Sequence, residues 1–407
     1  MNVRCCIAGG GPAGMMLGFL LARAGVDVVV LEKHEDFLRD FRGDTVHPST
    51  LEVIAELGLL DDFLARPHQE FTGLSGVISG TTVKIADFRH LPTRCKFIVL
   101  MPQWEFLNFL AEHGHRYPAF KVLMRAEITD LIEVGGAIAG VRATTPDGPL
   151  EIRADLVVGA DGRHSLVRER AGLQIDDFGA PIDVLWMRLS KRPEDGGGVL
   201  GRFDAGRILV MLDRGDYWQC AYVIPKGGFE TLRARGLQAL RDDIAAVSPP
   251  LRDRIDEIRD WDDVKLLTVR VDRLREWYRP GLLCIGDAAH AMSPIGGVGI
   301  NLAIQDAVAT ANLLAEPLRA GTPTVRDLAT VQRRRTLPTR LTQMMQVFIQ
   351  QRIIGAVLRS TAPIGLPWPV KVFRRFPYLQ RIPARVIGVG FCPEHVRAPE
   401  AVTPRAS

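Results

Sequence analysis

The chain has 407 residues, enough for two or three structural units around one or two sizeable cores. With 47% hydrophobic and 24% charged residues it has the make-up of a globular protein, which excludes a disordered or fibrous class. A formal net charge of +4 argues against a nucleic-acid partner. Arg4 to Ala8 reads as a short strand. It runs into Gly9-Gly10-Gly11-Pro12-Ala13-Gly14, a helix pattern to Ala24, and a second strand, Asp27 to Leu31, ending at Glu32 and Lys33. This is the GxGxxG fingerprint in its full strand–helix–strand–acid context. Gly9 permits the turn, Gly11 lets backbone approach a pyrophosphate, and Gly14 lets helix and strand pack closely. The phosphates sit on the helix N-terminus, and Glu32 accepts bonds from ribose hydroxyls.

Arg42, Asp44 and His47 follow in a loop before an amphipathic helix carrying Leu51, Ile54, Leu57 and Leu60. Arg42 is placed to reach the pyrophosphate. Asp44 and His47 are candidates for the ring system or substrate, against the alternative of a surface loop capped by Ser49 or Thr50. Residues 71–100 read as short strands and turns. Gln103 opens the next helix, which runs to Gly114, and is a candidate cofactor contact. Ile138–Ala143 and Leu150–Ile152 flank a Pro146-Asp147-Gly148 turn as an antiparallel pair. A further apolar strand from Ala154 ends in Asp161-Gly162, with a helix to Arg170 behind it.

Residues 178–278 read as an antiparallel sheet with strands Val184–Leu189, Val199–Phe203, Arg207–Leu212 and Tyr217–Ile224, followed by a helical pattern to Val247. Trp186, Met211, Gln219 and Tyr222 are candidates to line a substrate cavity, although core packing explains them equally well.

The stretch from Gly281 to Asn301 organises the whole. Leu282–Ile285 is an apolar strand, and Gly286-Asp287 places a carboxylate at its carboxyl end, where open α/β sheets bind ligands. Pro294 precedes Gly296, Gly297 and Gly299, and a long helix starts near Ile300. Glycines let backbone approach a flat ligand, and the helix start offers free N–H groups to an electron-rich edge. A carboxylate for hydroxyls, a glycine shelf and a helix N-terminus suit a flavin. Glu32, Asp161 and Asp287 thus end three strands, and the spacing predicts that they clasp one ligand. His290 reads as structural or flavin-proximal, and no metal-ligand cluster is present.

One or two helices fill Val325–Ile353, and prolines break up the remainder. Residues 326–407 hold 14 Lys/Arg against 3 Asp/Glu. A solvated helical face accounts for that charge, with peripheral membrane contact as the alternative. No apolar run is long enough for a membrane span. Six cysteines without a CxxC pair indicate a reducing cytoplasm.

In these motifs the chain resembles the single-component FAD-dependent aromatic hydroxylases typified by p-hydroxybenzoate hydroxylase. Gly9-x-Gly11-x-x-Gly14, Asp161-Gly162, and Gly286-Asp287 with Pro294 and its glycines match in order and spacing over residues 4–310. The resemblance implies an α/β fold: a Rossmann-like FAD-binding domain (1–70, 96–177 and 279–320) interleaved with an antiparallel β-sheet substrate domain (71–95 and 178–278), then C-terminal helices (321–407). It implies that Asp287 binds the ribityl chain. Gly297, Val298, Gly299, Ile300 and Asn301 would hold the isoalloxazine, Asp161-Gly162 would lie at the FAD and nicotinamide side, and Arg42 and Gln103 would touch the cofactor.

The implied reaction is hydroxylation of an aromatic, electron-rich small molecule, using NADH or NADPH and O2 through a flavin hydroperoxide. The resemblance implies that NAD(P)H binds transiently without a Rossmann unit of its own, and the absence of a second GxGxxG fits that. His47, with Asp44 and Pro294, is the candidate catalytic group, His47 acting as base toward a phenol. The carboxylate-fixing Arg and Tyr of the benzoate hydroxylases have no counterpart that can be placed. A flavin-dependent reductase of isoprenoid or quinone substrates, and a non-catalytic dinucleotide sensor with a basic membrane-docking tail, stand as alternatives. The polypeptide is expected to be a monomer or homodimer.

Overall fold

A computed structural model describes residues 1–38 and 45–401. Arg42 and Asp44 therefore lie outside the described residues. Val28–Leu31 is four β-branched or aliphatic residues in a row, all buried, as expected for a strand covered on both faces. It pairs in parallel with Asn2–Ala8, which pairs in parallel with Gly148–Gly159, which in turn pairs in parallel with Leu282–Cys284. Phe120–Leu123 extends the sheet beyond Val28–Leu31. The register aligns Leu31 with Ala8, Ala8 with Gly159, and Gly159 with Cys284. The residues after these four positions leave the sheet side by side along one edge. Three strand spacings of about 4.8 Å separate the outer two, roughly 14 Å.

The predicted hairpin strand at Leu150 and the strand from Ala154 are one element, Gly148–Gly159. Its first half pairs antiparallel with Ala137–Thr145 and its second half feeds the parallel sheet. Alternation up to Ala154 and a continuous apolar run after it reflect one exposed face becoming covered.

A second sheet combines Ile182–Ser190, Val199–Asp204, Arg207–Asp213 and Tyr217–Pro225 with the earlier hairpin Gly73–Ile78 and Thr81–Asp87. Strand alternation gives it two apolar faces. Leu185, Met187, Leu209, Met211, Trp218, Cys220 and Tyr222 face the helix Leu237–Val247. Val184, Trp186, Ile208, Val210, Ala221 and Val223 form the other face, packed with Ile295, Ile349, Ile354 and Val357.

The helix Val298–Ala320 is long and apolar enough to cross a membrane by length and composition, contrary to the sequence expectation. Its most apolar 18-residue window is 83% buried, because it is the core helix, packed between Pro12–Arg23 and Val325–Ile349. Among the described residues all six cysteines are free thiols, Cys392 alone exposed.

Candidate functional site

Along the carboxyl edge of the parallel sheet the structure collects Gly9 to Gly14, Glu32, Asp161 and Asp287. Gly9 has φ +103°, and a Cβ there would lie 2.5 Å from Ala160 O. At Gly14 a Cβ would meet Gly9 O at 2.0 Å. Over Gly11, by contrast, no atom of the described residues lies within 4 Å of a built Cβ. The loop is thus closed toward the protein and open outward at the glycine where a pyrophosphate would lie. Gly11 caps the helix Pro12–Arg23 without a side-chain cap and with no acid in the first turn, so its N–H groups point at open space. Glu32 is buried; its carboxylate accepts from Gly10 N at 3.0 Å and His34 N at 3.1 Å, which fixes the loop and sets a carboxylate beside it. Lys33 is exposed next to it.

Asp161 reaches the same edge, but its carboxylate is turned inward. It accepts from the Ser165 hydroxyl and from Val167 N at 3.1 Å, capping the short helix that follows. Burial raises its pKa, against the pull of those two bonds. What Asp161-Gly162 presents outward is the backbone turn at Gly162, φ +85°. Asp287 is half-buried with Arg163 Nη2 at 3.4 Å, a neighbour the sequence reading passed over although it directly follows Gly162. Arg168, buried behind them, donates to Arg163 O at 2.8 Å and Ala288 O at 3.3 Å, joining the Asp161 and Asp287 loops.

Beneath the Asp287 loop lies a charged core that no sequence motif announced. Asp306, fully buried on the core helix, accepts from Gly286 N at 3.1 Å and Arg335 Nε at 2.8 Å and contacts His290 Nε2 at 2.5 Å. Burial opposes its ionisation, but His290 and Arg335 outweigh that and hold its pKa below the usual value.

The glycine shelf is formed by Pro294 to Gly299. Gly296 (φ +76°) and Gly297 (φ +64°) are left-handed, and a Cβ on Gly297 would sit 2.1 Å from Thr45 Oγ1. The core helix begins at Val298 with no side-chain cap and no acid in its first turn. Val298 and Ile300 are buried beneath it. The Asn301 side chain does not point to a ligand. Its Oδ1 accepts from His47 N and Thr50 Oγ1, both at 2.8 Å, and its Nδ2 donates to Thr45 O at 3.0 Å and Gly297 O at 3.1 Å. It is the clamp of the shelf, its side-chain oxygen and nitrogen both engaged by protein groups.

His47 is drawn into the same clamp by its backbone. Its ring contacts Ile387 O through Nδ1 at 2.8 Å, on the C-terminal helix Arg381–Gly388. Burial pushes its pKa down to about 4, so the imidazole is neutral at physiological pH and a poor proton acceptor. Nδ1 thus ties the ring to the C-terminal helix, while Nε2 has no hydrogen-bond partner among the described residues. Gln103 sits at the first position of its helix, three residues after Leu100, which pairs with Thr45.

Of the four cavity candidates, Trp186 and Gln219 share the sheet face that meets Ile295 by strand parity, whereas Met211 and Tyr222 lie on the opposite face under the helix Leu237–Val247. The period of two, read without knowing which face was covered by helices, put both sets together. Gln219 Oε1 accepts from Arg214 Nε at 2.9 Å near the sheet's end. A cavity of about 560 Å3 on that opposite face, lined by Arg202, Trp218 and Arg254 among others, borders none of the glycine loops; its Asp195 is already bound by Arg254. Among the described residues no group of acids, histidines and cysteines could hold a metal.

The open backbone over Gly11, the carboxylates at 32 and 287 three strand spacings apart, and the uncapped shelf helix fit an extended FAD. Comparison with known proteins agrees. A family model described as "FAD binding domain" matches residues 2–344. The chain is 35% identical over 361 residues to the 6-methylpretetramide 4-monooxygenase of Streptomyces rimosus, covering 88% of this chain and 86% of that one. It spans 63, 67 and 61% of the length of three further relatives. Among solved structures, PqsL of Pseudomonas aeruginosa, a probable FAD-dependent monooxygenase, superposes with TM-score 0.74 at 24% identity over 88% of this chain and 97% of that one. The OxyS anhydrotetracycline hydroxylase of Streptomyces rimosus gives 0.73 at 23% identity, over 95% and 76%.

Proposed function

The chain belongs to the FAD binding domain family and is an FAD-dependent monooxygenase, and from that premise we propose that it hydroxylates a polycyclic phenol of aromatic-polyketide type, held between the glycine shelf and the Trp186 face of the second sheet. The observation that carries this reading is the convergence of two glycine loops, Glu32 and Asp287 on one sheet edge, with an apolar sheet face closing over Ile295. The 6-methylpretetramide enzyme, of which this chain covers 86%, supports the substrate class.

FAD, when bound, accepts hydride equivalents from NAD(P)H and uses O2 to deliver one oxygen atom to the ring. Every other task falls to this chain. Gly11 and the helix behind it hold the pyrophosphate, Glu32 and Asp287 hold hydroxyls, and Arg163 keeps Asp287 oriented. The uncapped start of the core helix, with no acid in its first turn, would stabilise negative charge on a ring held at the shelf by about 0.3–2 kcal/mol. Val184, Trp186, Val210 and Ala221 exclude water from the reacting carbon. His47 anchors the shelf. Ionisation of the phenol then depends on its own acidity and on the dipole of the shelf helix.

Steady-state assays with NAD(P)H, O2 and 6-methylpretetramide test this. Substrate should accelerate NAD(P)H consumption at least tenfold and gain one hydroxyl. Consumption indifferent to every polycyclic phenol tried would overturn the substrate class.

The finer matters of location and assembly are also proposals. The helices Trp368–Arg375 and Arg381–Gly388 both pack on Thr81–Asp87. The two helices and the turn between them expose Trp368, Tyr378 and Ile382 among Lys371, Arg375, Arg381 and Arg385. That pattern supports peripheral contact with an anionic bilayer by an otherwise cytoplasmic monomer or homodimer.

A further inference from the structure

Gln343, Gln346 and Gln350 stand at i, i+3 and i+7 on the helix Val325–Ile349 and its continuation, so they share one face. All three are buried, to 3, 0 and 0% exposure. The first two are saturated by the loop that leads to the shelf. Gln343 Nε2 donates to Asp272 O at 2.7 Å and Ala291 O at 3.3 Å, while its Oε1 accepts from Arg273 Nη1 at 2.9 Å. Gln346 Nε2 donates to Ser293 O at 2.9 Å and Ile295 O at 3.1 Å, and its Oε1 accepts from Ser293 N at 3.1 Å. The series thus climbs the loop from Ala291 to Ile295. Gln350 lies about 6 Å further along the helix axis. Neither its Oε1 nor its Nε2 has a hydrogen-bond partner.

A fully buried, doubly unsatisfied amide is rare in a folded protein. It is worse than an apolar side chain unless something else completes it. Its surroundings point to what that is. Ile349, Ile354 and Val357 around it pack with Trp186 and Ile295, the apolar layer between the second sheet and the shelf. Gln350 also opens a π-helical turn, Gln350–Ile354, the wider winding found mostly at functional sites.

We propose that Gln350 is a substrate-binding residue. Its amide donates to a carbonyl and accepts from an adjacent O–H or N–H on the edge of the aromatic substrate. It selects β-hydroxy-carbonyl or phenol–carboxamide chemistry over simple phenols, and it fixes which ring carbon faces the shelf. The inference rests on the substrate layer assigned above.

Gln350→Met keeps the length of the side chain and removes the amide. In the FAD-loaded enzyme, titration with 6-methylpretetramide followed by the flavin absorbance change should show binding weakened about 5- to 150-fold, the loss of one or two buried hydrogen bonds. FAD affinity should be unchanged. The substrate-free Tm should rise by about 1–3 °C, because an unsatisfied amide has been removed. Gln350→Asn, which keeps the amide but withdraws it by one methylene, should also weaken binding. A fall in Tm with unchanged substrate affinity makes Gln350 a structural residue and overturns the proposal, as does weakened FAD binding. If the wild-type enzyme itself gives no absorbance change, the substrate layer is wrong and this inference falls with it. If the wild type binds and both variants bind equally well, only this inference falls.

Discussion

Replacing Asn301 by Leu tests whether the shelf is held by a clamp or touches the flavin through that side chain. Leu is close in size, so little space opens for water. The change strands the His47 N–H and the Thr50 hydroxyl, both buried, and removes one bond each from Thr45 O and Gly297 O. Gly297 O keeps the Thr45 Oγ1 bond at 3.1 Å. Two orphaned donors at about 1–3 kcal/mol each give a loss of about 2–6 kcal/mol, a large part of the usual 5–15 kcal/mol. With Gly296 and Gly297 released from their left-handed turn, FAD affinity should fall by at least tenfold, read by flavin fluorescence quenching beside chemical denaturation. Asn301→Asp is the milder companion: it keeps the acceptor and turns an anion toward two carbonyls. Burial and those carbonyls raise the pKa of the introduced carboxyl. Its protonated form restores one bond, so stability and FAD binding should recover as pH falls and be lost as pH rises through that pKa. A well-folded Asn301→Leu protein of unaltered stability would refute the clamp.

At Gly14, the 2.0 Å approach of a Cβ to Gly9 O leaves no room for a methyl; Gly14→Ala should reduce FAD affinity more than a hundredfold, measured by equilibrium dialysis. His47 is neutral and buried with a pKa near 4 against 6.5 unfolded, so its contribution is complete above pH 6.5 and is lost as pH falls toward 4, by up to about 3 kcal/mol; urea midpoints over that range should decline, and more gently in His47→Gln. Asp306→Asn leaves Arg335 only Glu394, at 3.6 Å, as a carboxylate partner, and one amide oxygen cannot serve both Arg335 and Gly286 N; the loss should be about 1.5–3 kcal/mol in denaturant titration, with weaker FAD retention.

Much of the cofactor edge was legible because its signals are local. A β run, a glycine set by backbone conformation and an acid at fixed distance are all written within some thirty residues, and the parallel register then aligns Leu31, Ala8, Gly159 and Cys284. Side-chain direction was not legible. Asn301 stands in the glycine run, yet its partners are some 250 residues away at 45–50. Nothing near His47 in the sequence announced that its ring would be buried against Ile387 O of the C-terminal helix, 340 residues on. Met211 and Tyr222 needed knowledge of which sheet face the helix Leu237–Val247 covers. The glutamine ladder has helical spacing in the sequence, but polar residues at that spacing normally mark a solvated face. Only the loop carbonyls at 291–295 reveal it as buried.

The central claim is that these loops turn bound FAD into a catalyst that places one atom of O2 on an aromatic ring. Turnover, with NAD(P)H under 18O2, of whichever aromatic compound stimulates NAD(P)H consumption tests it most directly. The account predicts product two mass units heavier than that formed in ordinary O2, with one NAD(P)H consumed per hydroxyl. Product without the label, or NAD(P)H consumed with no oxygenated product, would contradict it.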